Sequence, residues 1–174
     1  MIKYILCSFL FFSSFGALGN IVNNYILDTG DEIKIAVYDE PDLTVEIIIN
    51  DDGFINFPLI GSISVKGKTT SQVQTIIHDG LVGDYILNPS VQVDIITYRP
   101  FYIHGEVKKP GAYPYQPGMR IDQAVALAGG FTGRESKTKI YIKKSISDEV
   151  VNENVNLTST ISAGDTITIE QSFF

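Results

Sequence analysis

Apolar residues alternate with polar ones through Ile33, Ile35 and Val37, and again through Val45, Ile47 and Ile49, the period-two pattern of strands that bury one face. Asp51-Asp52-Gly53 offers turn chemistry directly afterwards and returns the chain into Phe54 to Phe57, so antiparallel strands are predicted here. The period then changes. Thr69 stands three residues before Gln72, a capping-box spacing, and Val73, Ile76, Ile77 and Leu81 recur on one helical face. This predicts a helix of about three turns. Asn88-Pro89 closes the irregular stretch that follows, and Val91, Val93 and Ile95 restore the strand period.

Tyr98-Arg99-Pro100 reads as a joint between two halves, because the proline fixes the chain and a new hairpin begins at once. In that hairpin Phe101, Tyr102, Ile103 and Val107 favour strand, Gly105 interrupts it, and Pro110-Gly111 predicts the turn before Tyr113 resumes the extended chain. Ile121, Ala124, Val125 and Ala128 form a short apolar stripe closed by Gly129-Gly130, a helix stop. Ile140 and Ile142 predict a strand, Val151 to Val155 a weaker one, and Ile167 and Ile169 a last one. Each half is mostly strand with a single helix. The expected fold class is therefore α+β, in two small domains at 20–98 and 99–174. Thr29-Gly30-Asp31-Glu32-Ile33-Lys34-Ile35 echoes Ala163-Gly164-Asp165-Thr166-Ile167-Thr168-Ile169, but Gly-Asp before an alternating strand is ordinary turn chemistry.

Residues 1–19 differ in kind: Lys3 gives a positive start, Tyr4 to Phe15 is almost continuously apolar, and Ala17-Leu18-Gly19 supplies small residues at a cleavage site. This predicts a secretory signal peptide cut between Gly19 and Asn20. The apolar run is shorter than the roughly 18–20 residues that span a bilayer. Cys7, the only cysteine, follows Leu6 where a lipoprotein signal wants a small residue, so the reading favours an ordinary apolar position over lipidation. With no cysteine after Asn20 there is no disulfide framework.

Composition narrows the function classes. The 174 residues, 44% of them hydrophobic, carry a formal charge of −7. This excludes the clustered Lys and Arg of a nucleic-acid or anionic-membrane footprint. An acidic surface serves solubility, or keeps an anionic polymer from sticking; composition does not separate the two. His104 stands near Glu106, but alternation assigns both to one solvated strand face, and His78 on the first predicted helix lacks a paired metal ligand. Lys108 and Lys109 beside Tyr113 and Tyr115 suit acidic sugars through charge and ring stacking, a neighbouring subunit, or simply a solvated hairpin tip. A polymer-cleaving enzyme would need placed carboxylates in a cleft, and none of the motif residues is a nucleophile, so a non-enzymatic protein is expected, with no metal and no cofactor.

The succession Tyr25-Ile-Leu-Asp-Thr-Gly30-Asp31-Glu-Ile33, Asp52-Gly53, Pro58-Leu59-Ile60-Gly61, Gly67-Lys-Thr69 and Pro89-Ser-Val91-Gln-Val93 resembles the polysaccharide-export domain of bacterial outer-membrane exporters of the Wza type. The hairpin at 101–114, with Ala128-Gly129-Gly130-Phe131-Thr132, is similar to the soluble-ligand-binding β-grasp domain that follows it in that family. Gly30, Asp31, Gly53, Pro58, Gly61, Pro110, Gly111, Gly129 and Gly130 are then shape-setting turn positions. The resemblance implies a periplasmic protein associated with the outer membrane. It also implies a homo-oligomeric ring that guides capsule or exopolysaccharide. The chain stops at Phe174 without the family's C-terminal membrane helix, so the expectation is a short member served by a separate outer-membrane pore protein and an inner-membrane copolymerase complex. The competing reading is a monomeric periplasmic carbohydrate-binding module.

Overall fold

The computed structural model describes residues 25–145 and 153–172. The expected signal segment, the Gly19-Asn20 cleavage point and Cys7 lie outside the described residues, as do residues 151 and 152 of the weaker strand expected at Val151 to Val155.

The first half contains β1 (Glu32–Val37), β2 (Glu40–Ile48), β3 (Phe54–Phe57), β4 (Gly61–Ser64), helix α1 (Thr70–Leu81) and β5 (Val91–Thr97). β1 is the middle strand of an antiparallel sheet ordered β2-β1-β5, and its alternate residues Ile33, Ile35 and Val37 are buried. The predicted return through Asp51-Asp52-Gly53 does not pair β2 with β3. β3 pairs with β4 in a separate ribbon, Ile55 opposite Ile63. β2 stays at the edge of its own sheet, paired with β1 through Ile47 opposite Ile33 and Val45 opposite Ile35. The Gly53 carbonyl meanwhile accepts the N–H groups of Val65 at 2.9 Å and Lys66 at 3.1 Å, drawing the turn towards the far end of β4.

α1 closes the apolar interior of this half with Val73, Ile77 and Leu81, all fully buried. Its start is the predicted capping box. The Thr69 hydroxyl accepts the Gln72 N–H at 3.3 Å, and the Gln72 side chain accepts the Thr69 N–H at 2.9 Å. Thr69→Ala removes one acceptor from the open helix end and is expected to cost about 1 kcal/mol, read as a lowered urea midpoint at unchanged slope.

The second half contains β6 (Phe101–Gly105), β7 (Gly111–Tyr113), helix α2 (Ile121–Leu127), β8 (Glu135–Lys143), β9 (Glu153–Asn154) and β10 (Thr166–Gln171). They form a five-stranded sheet ordered β7-β6-β10-β8-β9, in which β6 and β10 are parallel and the other pairs antiparallel. α2 sets Ile121, Ala124 and Val125 in one apolar cluster with Ile103, Ile140, Ile142, Ile167 and Ile169. A mixed sheet with a parallel central pair, gripping one helix, is the β-grasp arrangement. The molecule is thus α+β, with one apolar cluster in each half.

Gly105 of β6 lies opposite Ile169 of β10. Its φ is +90°, and a Cβ there would lie 2.0 Å from the carbonyl oxygen of Ile169. The hairpin also turns earlier than predicted. Gly111 is a strand residue of β7 opposite Ile103, not a turn, because the Lys108 and Lys109 N–H groups have already bent the chain onto the Gly130 and Ala128 carbonyls at the end of α2. Pro110 directly precedes β7.

Candidate functional site

The hairpin residues singled out from the sequence separate into two layers. Lys108 and Lys109 are exposed at the tip. Tyr113 lies beneath them, its ring stacked on buried Phe101 at 5.9 Å between centroids and its hydroxyl donating to the Lys109 carbonyl at 2.6 Å. Tyr115 sits edge-on to Tyr98 at 5.6 Å, and burial pushes its phenol up from the usual pKa. Both tyrosines therefore brace the domain. His104 and Glu106 do not form a pair: the His104 Nε2 meets the Thr168 hydroxyl at 3.0 Å, whereas the Glu106 carboxylate takes a hydrogen bond from the Thr132 hydroxyl. The positive φ of Gly105 breaks the alternation between them. Among the described residues, no group of three or more His, Cys, Asp or Glu is placed to hold a metal ion.

The best-built polar structure is the joint. Asp31 is fully buried, and its carboxylate is saturated: Oδ1 accepts the Tyr25 hydroxyl at 2.7 Å and the Arg99 N–H at 2.8 Å, while Oδ2 accepts the Asp28 N–H at 2.9 Å and Arg99 Nη1 at 2.8 Å. The Arg99 side chain is only 8% exposed, so this is a buried ion pair across 68 residues of chain. Burial, reinforced by the hydrogen bond to Asp31, keeps the Tyr25 phenol protonated far above its usual range. Asp28 sits beside the pair. Its partial burial would raise its pKa, but Lys66 at 3.0 Å and the Thr29 N–H outweigh that and hold it below the carboxylate range. Edge-on rings continue from Tyr25 to Tyr98 at 4.9 Å and on to Tyr115, linking the two halves through aromatic contacts.

The sequence echo falls at this joint. Asp31 and Asp165 each follow a glycine of positive φ, each donates its N–H to the carbonyl three residues back, and each accepts the N–H of that same residue. Asp165 is 1% exposed and takes Lys144 as its cation at 2.8 Å, as Asp31 takes Arg99. Arg99 lies between the two turns. A Cβ on Gly30 would stand 3.4 Å from the Arg99 Cβ, and one on Gly164 would stand 2.9 Å from its Nε. That Nε is buried without a hydrogen-bond partner. Sequence reasoning marked residues 98–100 as a joint and Asp31 as a turn position, but missed the ion pair that joins them; the available signal was an arginine placed between Tyr98 and Pro100.

Two domain families match this chain in the order that the folds appear: residues 20–96 match the polysaccharide biosynthesis/export protein family, and residues 100–155 match the SLBB domain. The chain belongs to the polysaccharide export family. Relatives of this chain include the exopolysaccharide production protein ExoF of Rhizobium meliloti (strain 1021), 36% identical over 97 residues, which cover 55% of this chain and 23% of the relative. The EPS I polysaccharide export outer membrane protein EpsA of Ralstonia nicotianae is 30% identical over 145 residues, 67% of this chain and 38% of the relative. The polysialic acid transport protein KpsD of Escherichia coli is 26% identical over 145 residues, 82% of this chain and 25% of the relative. The chain thus spans between 23% and 38% of the length of these relatives. The first matched family is one of polysaccharide biosynthesis and export, and EpsA and KpsD are named for polysaccharide export and transport. Among the described residues no helix is long and apolar enough to cross a membrane.

Proposed function

We propose that the chain is a periplasmic component of a polysaccharide export channel, forming or completing a ring that guides capsule or exopolysaccharide towards the outer membrane. The observation that carries this reading is the export domain and the β-grasp domain held together, in that order, by a buried ion pair and a run of tyrosines. A joint of this kind resists bending. Copies of a stiff two-domain unit meet through one repeated contact, and a repeated contact whose rotation closes makes a ring. The mechanism is passive: the walls shape a path, and an inner-membrane copolymerase complex supplies the drive, with a separate outer-membrane pore protein completing the route. The formal charge of −7 suits a wall from which an anionic polymer slides without sticking.

Deletion of the gene, with complementation by the intact chain, tests this. Polymer is expected to vanish from the cell surface and accumulate inside. Unchanged surface polymer in the deletion strain would sink the export role.

A further inference from the structure

The two halves of the chain differ in charge. Of its 20 acidic residues, 12 lie at 20–98 beside 3 basic ones, a formal charge of −9, whereas 99–174 hold 8 acidic and 9 basic residues, a formal +1. Each half also leaves one face of its sheet open to solvent, because its helix packs on the other.

In the first half Ile33, Ile35 and Val37 turn inward with the buried face of α1, so Glu32 and Lys34 take the outer face. Lys34 stands between Glu46 of β2 and Asp94 of β5, and its ammonium is held by Glu46 at 2.8 Å. Asp94 and Glu32 accept from neutral groups, the Gln92 amide and the Thr97 hydroxyl, each at 2.8 Å. Ile48 lies opposite Glu32, and Ile96 sits at the bulge on its other side; they are 61% and 45% exposed. This face is acidic with apolar side chains among the acids.

In the second half Ile140 and Ile142 are buried, so Lys139, Tyr141 and Lys143 alternate onto the outer face of β8. The strand register sets Tyr102 beside Thr166 and Lys143 in one row, and His104 beside Thr168 and Tyr141 in the next. Tyr102 is 48% exposed, and both lysines are exposed. Glu170, exposed on β10, offsets one of their charges. This face is basic around two aromatic rings.

We propose that the two faces bind each other between neighbouring copies, the acidic face of one export half receiving the Lys139 to Lys143 face of the next copy. The contact rests on the ring in the export reading and names the surfaces that build it. Two unlike faces make a heterologous, head-to-tail contact, the kind that closes into rings, whereas acidic face against acidic face would set like charges together. Isoleucines and tyrosines with charges around them have the make-up of a protein interface. An anionic polymer would suit the lysines but leaves the acidic face and its two isoleucines bare; a second copy covers both faces at once.

Sedimentation velocity of the purified chain tests this. Association is expected in about 50 mM salt, weakened about tenfold or more in about 500 mM. Lys139→Glu with Lys143→Glu, and separately Glu32→Lys with Asp94→Lys, are each expected to weaken it at least about tenfold with circular-dichroism spectra unchanged. Mixed in equal amounts, the two double variants should associate again, since every contact between unlike variants then sets opposite charges together. A chain that stays monomeric at millimolar concentration in low salt overturns the proposal, and so does a mixture that fails to recover. Association that survives both reversals overturns it while leaving a ring built on other surfaces. A monomeric chain that binds oligogalacturonate, and loses it with the lysine substitutions, overturns it too and gives the basic face to an anionic polymer. The export reading stands or falls on surface polymer in the deletion strain, so its failure is separable from each of these.

Discussion

An Arg99→Ala variant is expected to lose about 3–5 kcal/mol of stability, most of what a small domain pair possesses. The size of the effect comes from what is left behind. Asp31 stays fully buried with its strongest partner gone, and the side chain packed between the Gly30 and Gly164 turns leaves a gap. Urea unfolding followed by far-ultraviolet circular dichroism measures the loss. Pairing Asp31→Asn with Arg99→Met removes both charges while keeping the volume, and is expected to recover a large part of it. A single-variant curve that overlays the parent would show that the joint is held by the tyrosines and the backbone alone.

Gly105→Ala is the second large effect, more than about 3 kcal/mol, and it acts on the other half of the molecule. The added methyl group would sit 2.0 Å from the Ile169 carbonyl oxygen, and the φ of +90° is one that alanine resists. Both atoms belong to the parallel pair at the centre of the sheet, so relief requires β6 and β10 to part and the Glu106 N–H to lose its bond to Ile169 at 3.0 Å. Protection of the Ile167 and Ile169 amides from hydrogen exchange should collapse, while that of β1 in the first domain persists. Protection that stays uniform in both halves would refute the close approach.

The contrast between these positions shows what a sequence discloses. Features set by neighbours along the chain were readable: the period of β1, the Thr69-Gln72 box, and the stop at Gly129-Gly130. Features set by distant residues were not. Gly105 reads as an interruption in a strand, but its reason, Ile169, lies 64 residues later. Asp51-Asp52-Gly53 announces a turn without naming the edge that the next strand will meet, and β3 found β4. Pro110-Gly111 looked like the turn itself, yet the chain is reversed by hydrogen bonds to the end of α2, beyond any local pattern. The β-grasp order came from the resemblance alone, since period-two patterns do not say which strands are parallel. The Gly-Asp echo looked like common turn chemistry, and it is; its two instances also meet at Arg99, which only the folded chain reveals.

The placement of β5 and β10 sets the order in which the halves can close during synthesis, when domains fold from the N-terminal end. The last strand of the first half to leave the ribosome is β5, and it pairs with the first strand made, β1, so that sheet is complete at Thr97. Two residues later comes Arg99, the cation that Asp31 has been waiting for. The second half then begins with β6, whose parallel neighbour is β10, the last strand among the described residues. Its apolar cluster stays open until Thr166 to Gln171 slots between strands already made. The nascent chain therefore seals its first half with its counterion almost in hand, while its second half stays unfinished until β10 is made.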